Sequence, residues 1–271
     1  MLLAIGVLIG VVLGLTGAGG SVFAVPLLML LGGLSFSEST AISLGTVALA
    51  TAYGTLRNSR RGPMLWRPAL LLGAAGMLTA PLGKWLANQL PAAWVLMGFS
   101  VLALVIAWRM WRSATHMPEA ASVVRGSNLA LTLPPDLLCR LSQSGRFEMR
   151  PRCLSALLAG GALVGVLSGL FGVGGGFLIV PLLLALSPIS MAQAVNASLL
   201  IITLVSGVGF ASHSLQGGLP ALNLLFQVGV GGIVGMFIGQ LSSRFIAGPM
   251  LQKIFAGCLL ITAIVLQLFT H

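Results

Sequence analysis

Apolar residues fill long stretches of the chain, and polar or charged positions interrupt them at only a few places. The stretches cover 2–36, 39–56, 68–90 and 91–108 in the first part of the chain, and 154–190, 192–212, 219–243 and 245–269 in the second. The last three in each part have about the 20 residues that a helix needs to cross a bilayer. The pattern predicts an all-α polytopic membrane protein.

The two leading stretches, 2–36 and 154–190, are too long for a single crossing. A continuous helix over 2–36 would be about 50 Å long, whereas a hydrocarbon core is about 30 Å thick. Each stretch contains a glycine run, "GLTGAGGSVFAVP" from Gly14 to Pro26 and "GLFGVGGGFLIVP" from Gly169 to Pro181. Glycine adopts positive φ, and irregular backbone at membrane depth must be enclosed by protein or line a cavity. We therefore expect each leading stretch to break into two helices at its glycine run.

The chain matches itself at an offset of 155 residues, which brings the two glycine runs into register. Outside the runs, the same offset pairs Ser43 with Ser198 and Gly54 with Gly209. The match predicts two homologous transmembrane repeats, 1–111 and 152–271. The segment between them, 112–151, contains three of the four acidic residues and many arginines, and we expect it to be a basic extramembrane linker.

Composition agrees with a membrane protein, since 57% of residues are hydrophobic, 7% are charged and the mean hydropathy is +1.06. A soluble domain would need a more polar surface. The net charge of +10 does not indicate nucleic-acid binding, because the basic residues stand in clusters beside apolar stretches, as orienting loop charges do.

The positions of these basic residues favour one membrane topology over another. If each leading stretch crosses once, Arg244, Lys253 and Lys84 all lie outside. If each leading stretch instead enters and returns, or forms two short crossings, only Lys84 lies outside and the linker is cytoplasmic. The second arrangement agrees better with the positive-inside rule and makes the two repeats inverted relative to each other.

No metal or cofactor site is indicated by the cysteines and histidines. Cys139, Cys153 and Cys258 show neither a metal-ligand spacing nor a disulfide framework. His213 has serine neighbours but no third group for nucleophilic catalysis, so an intramembrane enzyme is a weaker interpretation than a transporter.

The doubled motif resembles a known family. "GLTGAGGSVFAVPLL" and "GLFGVGGGFLIVPLL", each followed by a segment carrying "AISLGT" or "NASLLI", are similar to the sulfite exporter TauE/SafE family, also called the 4-toluene sulfonate uptake permease family. The resemblance implies a multi-pass transporter of the bacterial inner membrane for sulfite, thiosulfate or sulfonates, coupled to an ion gradient such as protons or sodium. An anion channel would use much of the same architecture.

Candidate substrate-binding residues lie at the glycine runs and on the helix after each run. The N-terminus of a helix that restarts near Ser21 or Gly176 suits an anion, and neutral hydroxyl or amide donors can bind an oxyanion. Hydroxyls can instead bond their own helix, and glycines can serve only close packing, as in Gly231, Gly235 and Gly239. That last face could pack within the bundle or form a homo-oligomer. The candidates are Thr16, Gly17, Gly19, Gly20, Ser21, Ser43, Thr46, Gly172, Gly174, Gly175, Gly176, Asn196 and Ser198.

Three ionisable residues are candidates for gating or coupling. Arg57 can face a vestibule or serve as a cytoplasmic flanking charge. His213 can relay a proton or lie at the membrane interface. Glu38 aligns with Gln193, so a carboxylate coupling site would be asymmetric between the repeats.

Overall fold

A computed structural model describes most of the two predicted repeats. The described residues are 1–17, 20–59, 65–91, 93–95, 97–102, 104–105, 108, 140–141, 147–148, 151–187, 189, 191–217 and 222–242. Most of the predicted linker and the last apolar stretch, 245–269, lie outside them, as do Gly19 and the topology-defining charges Arg244 and Lys253.

The described chain is helical apart from one small hairpin. The helices of the first part are α1 (Leu2–Thr16), α2 (Gly20–Leu30), α3 (Phe36–Ser59) and α4 (Trp66–Gln89). Those of the second part are α5 (Pro151–Phe171), α6 (Gly176–Leu186), α7 (Met191–Gly217) and α8 (Leu222–Ser242). A short apolar helix covers Ala93–Leu102, and β1 (Arg140–Leu141) pairs antiparallel with β2 (Phe147–Glu148).

Four of these helices are long and apolar enough to span a membrane: Trp66–Gln89, Pro151–Phe171, Gln193–Leu215 and Leu222–Ser242. Large apolar side chains stand exposed on the outside of the bundle, including Leu78 at 78% and Phe226 at 69%. Lipid is the solvent that suits such a surface. The all-α membrane fold class is therefore confirmed.

Both leading stretches break at their glycine runs, as predicted. Gly17 ends α1 with φ of 72°, and Gly172, Gly174 and Gly175 have φ of 68°, 69° and 63° between α5 and α6. The chain reverses at each break, because Gly20 lies against the backbone of Leu13. Gly175 lies in the same way against Val164 and Ser168, which places α6 back along α5. Each leading stretch is thus a helical hairpin.

The two parts of the chain interlock through parallel helix pairs rich in glycine. α1 packs along α8, and α5 packs along α4. A Cβ on Gly10 would strike the carbonyl of Gly232, and a Cβ on Gly165 would strike that of Gly76. The Gly231, Gly235 and Gly239 face is occupied by α1 of the same chain. The first helix of each part therefore packs on a late helix of the other part, at a separation that only glycine permits.

α3 and α7 run antiparallel through the centre of the bundle. Asn58 near the end of α3 contacts Asn196 near the start of α7, and Thr51 contacts Thr203 halfway along. α3 has the length of a span but a less apolar sequence, which agrees with a central helix largely shielded by its neighbours.

One covalent feature differs from the expectation based on cysteine spacing. Cys153, in the first turn of α5, is buried and disulfide-bonded. The three scattered cysteines did not predict it, because spacing in sequence does not report which thiols meet in space.

Candidate functional site

The crossing of α3 and α7 brings the two glycine breaks to one region of the molecule. Ser43 on α3 donates a hydrogen bond to the carbonyl oxygen of Gly172 at 3.3 Å. Ser198 on α7 donates one to the carbonyl oxygen of Gly17 at 3.1 Å. Since the 155-residue offset relates both the serines and the glycines, these two bonds are equivalent. Each central helix holds the break of the opposite part of the chain.

At each break, the left-handed glycine also packs against a side chain from the opposite part of the chain. A Cβ on Gly17 would strike Val195, and a Cβ on Gly172 would strike Thr40, which is the position equivalent to Val195. Gly17 and Gly172 are therefore held by both their left-handed φ and a close neighbour from the other part of the chain.

Ser43 and Ser198 each reach a break, but each donates its hydroxyl proton to a backbone carbonyl of the protein. The hydroxyl of Ser198 also bonds the carbonyl of Val195 at 2.7 Å. In this structure the two serines therefore fix the breaks in place and do not offer free donors. Thr16 likewise donates to Val12 O at 2.8 Å within its own helix.

The remaining predicted residues of the first repeat are buried beside this region. Ser21 is fully buried in the first turn of α2. Thr46 is fully buried too; its methyl group faces Gly232, and its hydroxyl has no hydrogen-bond partner. Thr46 thus points towards the α3–α8 contact.

Two buried serines at the second break were not predicted. Ser206 on α7 and Ser168 on α5 are 0% and 1% exposed, and within the described part of the chain neither hydroxyl has a hydrogen-bond partner. The Ser206 Oγ lies 2.6 Å from where a Cβ of Gly174 would stand. The offset of 155 pairs Ser206 with Thr51, so the repeat comparison contained a signal for this position.

Arg57 lies at one end of the α3–α7 pair. Its guanidinium carbon lies 4.5 Å from the ring centre of Phe237 on α8, which is a cation–π contact. Its Nη1 is buried and has no hydrogen-bond partner. The adjacent Asn58 donates from Nδ2 to Asn196 Oδ1 at 2.8 Å. Arg57 on α3 therefore packs against α8, with a guanidinium donor that no acceptor among the described residues uses.

His213 lies at the opposite end of the same helix pair. Its side chain is 4% exposed, and its Nε2 lies 3.4 Å from Ser37 Oγ, while its Nδ1 has no hydrogen-bond partner. Lys84 on α4 is close enough for its charge to act on this ring. The two ends of the α3–α7 pair thus contain different basic residues.

Glu38 caps α3 at its exposed start. Ser35 donates to Glu38 Oε2 from its hydroxyl at 2.8 Å and from its backbone N–H at 3.2 Å, and Glu38 N–H donates back to Ser35 Oγ. This reciprocal pair is a capping box. The hydrogen bonds from Ser35 lower the pKa of the Glu38 carboxyl. Across the residues described, no three His, Cys, Asp or Glu side chains are grouped to hold a metal ion.

Comparisons with known proteins agree with the membrane architecture. A "Probable membrane transporter protein" of Xylella fastidiosa strain 9a5c is 30% identical, over 96% of this chain and 91% of the relative. A similarly named protein of Bacillus subtilis is 24% identical over 86% of this chain and 85% of its own. One from Methanocaldococcus jannaschii is 23% identical over 77% of this chain and 70% of its own.

No solved structure gives a significant match. The family model described as sulfite exporter TauE/SafE matches residues 2–266, which includes both glycine breaks. The protein is a membrane transporter that belongs to the sulfite exporter TauE/SafE family.

Proposed function

We propose that the protein is a secondary transporter that moves a small sulfur-containing anion, namely sulfite, thiosulfate or an organosulfonate, across the bacterial inner membrane. The family description supports the class of substrate. The anion binds between the two repeats, next to the glycine breaks.

The observation that carries this proposal is the reciprocal pair of serine bonds at the breaks. Ser43 to Gly172 and Ser198 to Gly17 hold the two irregular segments against the central helices. The N-termini of α2 and α6 follow these breaks, and the two helices contact each other. A helix N-terminus carries partial positive charge and free N–H groups, which suit an anion.

Inverted repeats provide the proposed basis for alternating access. α3 and α7 are equivalent under the 155-residue offset and run antiparallel. A two-fold axis that relates two antiparallel spans lies in the membrane plane, so one repeat is upside down relative to the other. Such a pair can expose one central site to either side in turn.

We further propose that Arg57 and His213 act on the anion at the two entrances of the site. They lie at opposite ends of the α3–α7 pair, and each has a buried nitrogen without a hydrogen-bond partner among the described residues. We assign attraction of the anion to Arg57 and proton coupling to His213. The carboxylate of Glu38 is engaged in capping α3, which makes it a poorer coupling group.

The test is transport by purified protein in liposomes. We expect saturable uptake of ³⁵S-sulfite or ³⁵S-thiosulfate, accelerated when the same unlabelled anion is inside the vesicles. Uptake without this trans-stimulation would favour an anion channel. Uptake no faster than in protein-free vesicles, for sulfite, thiosulfate and methanesulfonate alike, would overturn the proposed function.

A further inference from the structure

We infer that the second break, between α5 and α6, is the oxyanion seat of the transporter, with the hydroxyls of Ser206 and Ser168 as its side-chain donors. The inference rests on the proposed function and deepens it, because it assigns the anion to one of the two breaks.

The backbone at this break is arranged as an anion cradle. Gly174 and Gly175 are both left-handed, and Gly175 is the N-cap of α6 without a side-chain capping bond. α6 is 11 residues long, and the first N–H groups of a helix have no intrahelical acceptor. Leu178 N–H bonds back to Gly175 O at 3.1 Å, which tightens this first turn.

Two serine side chains approach the cradle from different helices. Ser206 Oγ on α7 lies 2.6 Å from the Cβ position of Gly174, so the missing side chain is what admits the hydroxyl. Ser168 on α5 has its Cβ 3.2 Å from the Cβ position of Gly175. Both serines are at least 99% buried, and neither hydroxyl has a hydrogen-bond partner among the residues that the structure describes. Because an unpaired buried hydroxyl is unfavourable, two at one break indicate a ligand that pairs with them.

The first break lacks these two donors, although its Gly17 has the same left-handed φ as the equivalent Gly172. The position that corresponds to Ser168 is Leu13, and the one that corresponds to Ser206 is Thr51. Thr51 Oγ1 donates to Val47 O at 2.7 Å and receives the Thr203 hydroxyl at 3.0 Å. At these two positions the first break therefore offers a hydrocarbon side chain and a hydroxyl that is already satisfied.

The chemistry of the seat sets the class of ligand. Its donors are neutral, so it binds an anion by hydrogen bonds without the cost of burying a fixed cation. Two serines on different helices, together with the N–H groups of α6, can engage separate oxygen atoms of one sulfur centre. Val47 and Ile202 lie 3.3 and 3.6 Å from the Gly174 Cβ position and give the seat an apolar side. The ligand is a small oxyanion with several oxygens, and chloride is a poor substitute.

The experiment compares Ser206→Ala with Thr51→Val, its equivalent in the first half. Purified proteins in detergent are titrated with sodium sulfite, thiosulfate or methanesulfonate against sodium chloride of equal ionic strength, with the melting temperature as readout. Wild-type uptake of the same anions into liposomes is measured in parallel. A ligand that binds the folded state raises its melting temperature.

We expect Ser206→Ala to raise the apparent Kd about ten-fold, and Ser206→Ala/Ser168→Ala to abolish the anion-dependent shift, since bonds to charged groups are among the stronger hydrogen bonds. Thr51→Val should leave the apparent Kd within two-fold. Without anion, Ser206→Ala should melt no lower than wild type, because no protein bond is lost, whereas Thr51→Val should melt lower.

Other outcomes distinguish an error in the proposed seat from an error in the proposed transport function. If the wild type takes up an oxyanion and Ser206→Ala binds it as the wild type does, the seat is wrong and the proposed function stands. If Ser206→Ala and Thr51→Val weaken anion binding equally, the effect is one of packing, and the proposed seat is also wrong. If the wild type neither binds nor transports any of the three anions, both the seat and the proposed function are wrong.

Discussion

Gly17 and Gly172, one at each glycine break, make equivalent contacts, but the side chains around the two breaks differ. In each, a left-handed glycine accepts a serine bond from the opposite central helix and packs against position 40 or its equivalent, 195. Yet unpaired hydroxyls surround the second break, while Leu13 and a paired Thr51 occupy the matching positions at the first. Duplication can thus preserve the serine-held glycine in both copies while the side chains around it diverge.

A second contrast separates the two ends of the α3–α7 pair. Positions 57 and 58 are Arg and Asn, whereas the equivalent positions 212 and 213 are Ser and His. The first end carries a permanent charge, and the second carries an imidazole, which exists in a neutral and a protonated form. Lys84 adds a further charge at the histidine end, from a helix whose counterpart has Gly239 at that position.

The largest expected effect comes from disrupting the close glycine contacts between α5 and α4 and between α1 and α8. Gly165→Leu should eliminate folded protein, because even a Cβ would strike Gly76 O and Thr79 Oγ1 on α4. Gly10→Leu, at the equivalent position, should do the same through Gly232 O. The measurement is the monodisperse fraction after size-exclusion chromatography in detergent.

Gly207→Ala on α7 is the matched control for these two variants. Nothing lies within 4 Å of a Cβ built there, so this variant should melt at or above the wild-type temperature, since alanine favours helix over glycine by about 1 kcal/mol. Normal yield of Gly165→Leu together with loss of Gly10→Leu would show that the two glycine interfaces are not equivalent.

The next largest effect is a loss of stability expected at the left-handed glycines of the two breaks. Gly17→Ala and Gly172→Ala should each lower stability by at least the roughly 1–2 kcal/mol that a left-handed non-glycine residue costs. Contact with Val195 or Thr40 adds to this cost. Thermal melts in detergent should give similar decreases for the two variants, and a decrease confined to one would show that only that break is rigid.

Much of the fold was predictable because it depends on local chain properties. Apolar length, the glycine runs and the 155-residue repeat predicted the helical class, the two breaks and the equivalence of Ser43 with Ser198. Partner choice was not predictable, because it depends on which helices cross. Ser43 was expected at a break but not as the donor to Gly172, 129 residues away along the chain.

The candidate site was less predictable than the fold, for a physical reason. A serine or threonine in a membrane helix looks the same in sequence whatever its hydroxyl does. The hydroxyl of Thr16 bonds its own helix, whereas that of Ser206 has no hydrogen-bond partner among the described residues. Glu38 was considered for coupling because acidic residues are rare here, while its capping box is visible in "SFSE". The burial of a side chain and its hydrogen-bond partners distinguish such cases, and a sequence pattern contains neither.

An intermediate effect is expected at the arginine end of the central pair. Arg57→Gln should raise the KM for anion uptake roughly ten-fold at low salt, because a partly desolvated charge attracts anions and bonds to charged groups contribute about 1.5–3 kcal/mol. The difference from wild type should shrink at high ionic strength, where exposed entrances are screened.

Arg67→Gln is the matched control, since Arg67 is an exposed arginine in the first turn of α4. Its KM should stay near the wild-type value. Equal effects of Arg57→Gln and Arg67→Gln would mean that general surface charge, and not the packed guanidinium beside Phe237, attracts the anion.

The smallest expected effect concerns Glu38, whose equivalent in the second half is Gln193. Glu38→Gln makes the halves alike at this position and keeps an oxygen acceptor for Ser35, so we expect full transport and only a slight drop in melting temperature at pH 7. The pKa of Glu38 is lowered in the folded state, so its contribution to stability is present above its unfolded pKa and is lost as the pH falls through the folded value. The drop should therefore vanish in acid, when melting temperatures of wild type and variant are compared across pH. Loss of proton-driven uptake in Glu38→Gln, at unchanged folding, would instead make Glu38 the coupling group and remove that role from His213.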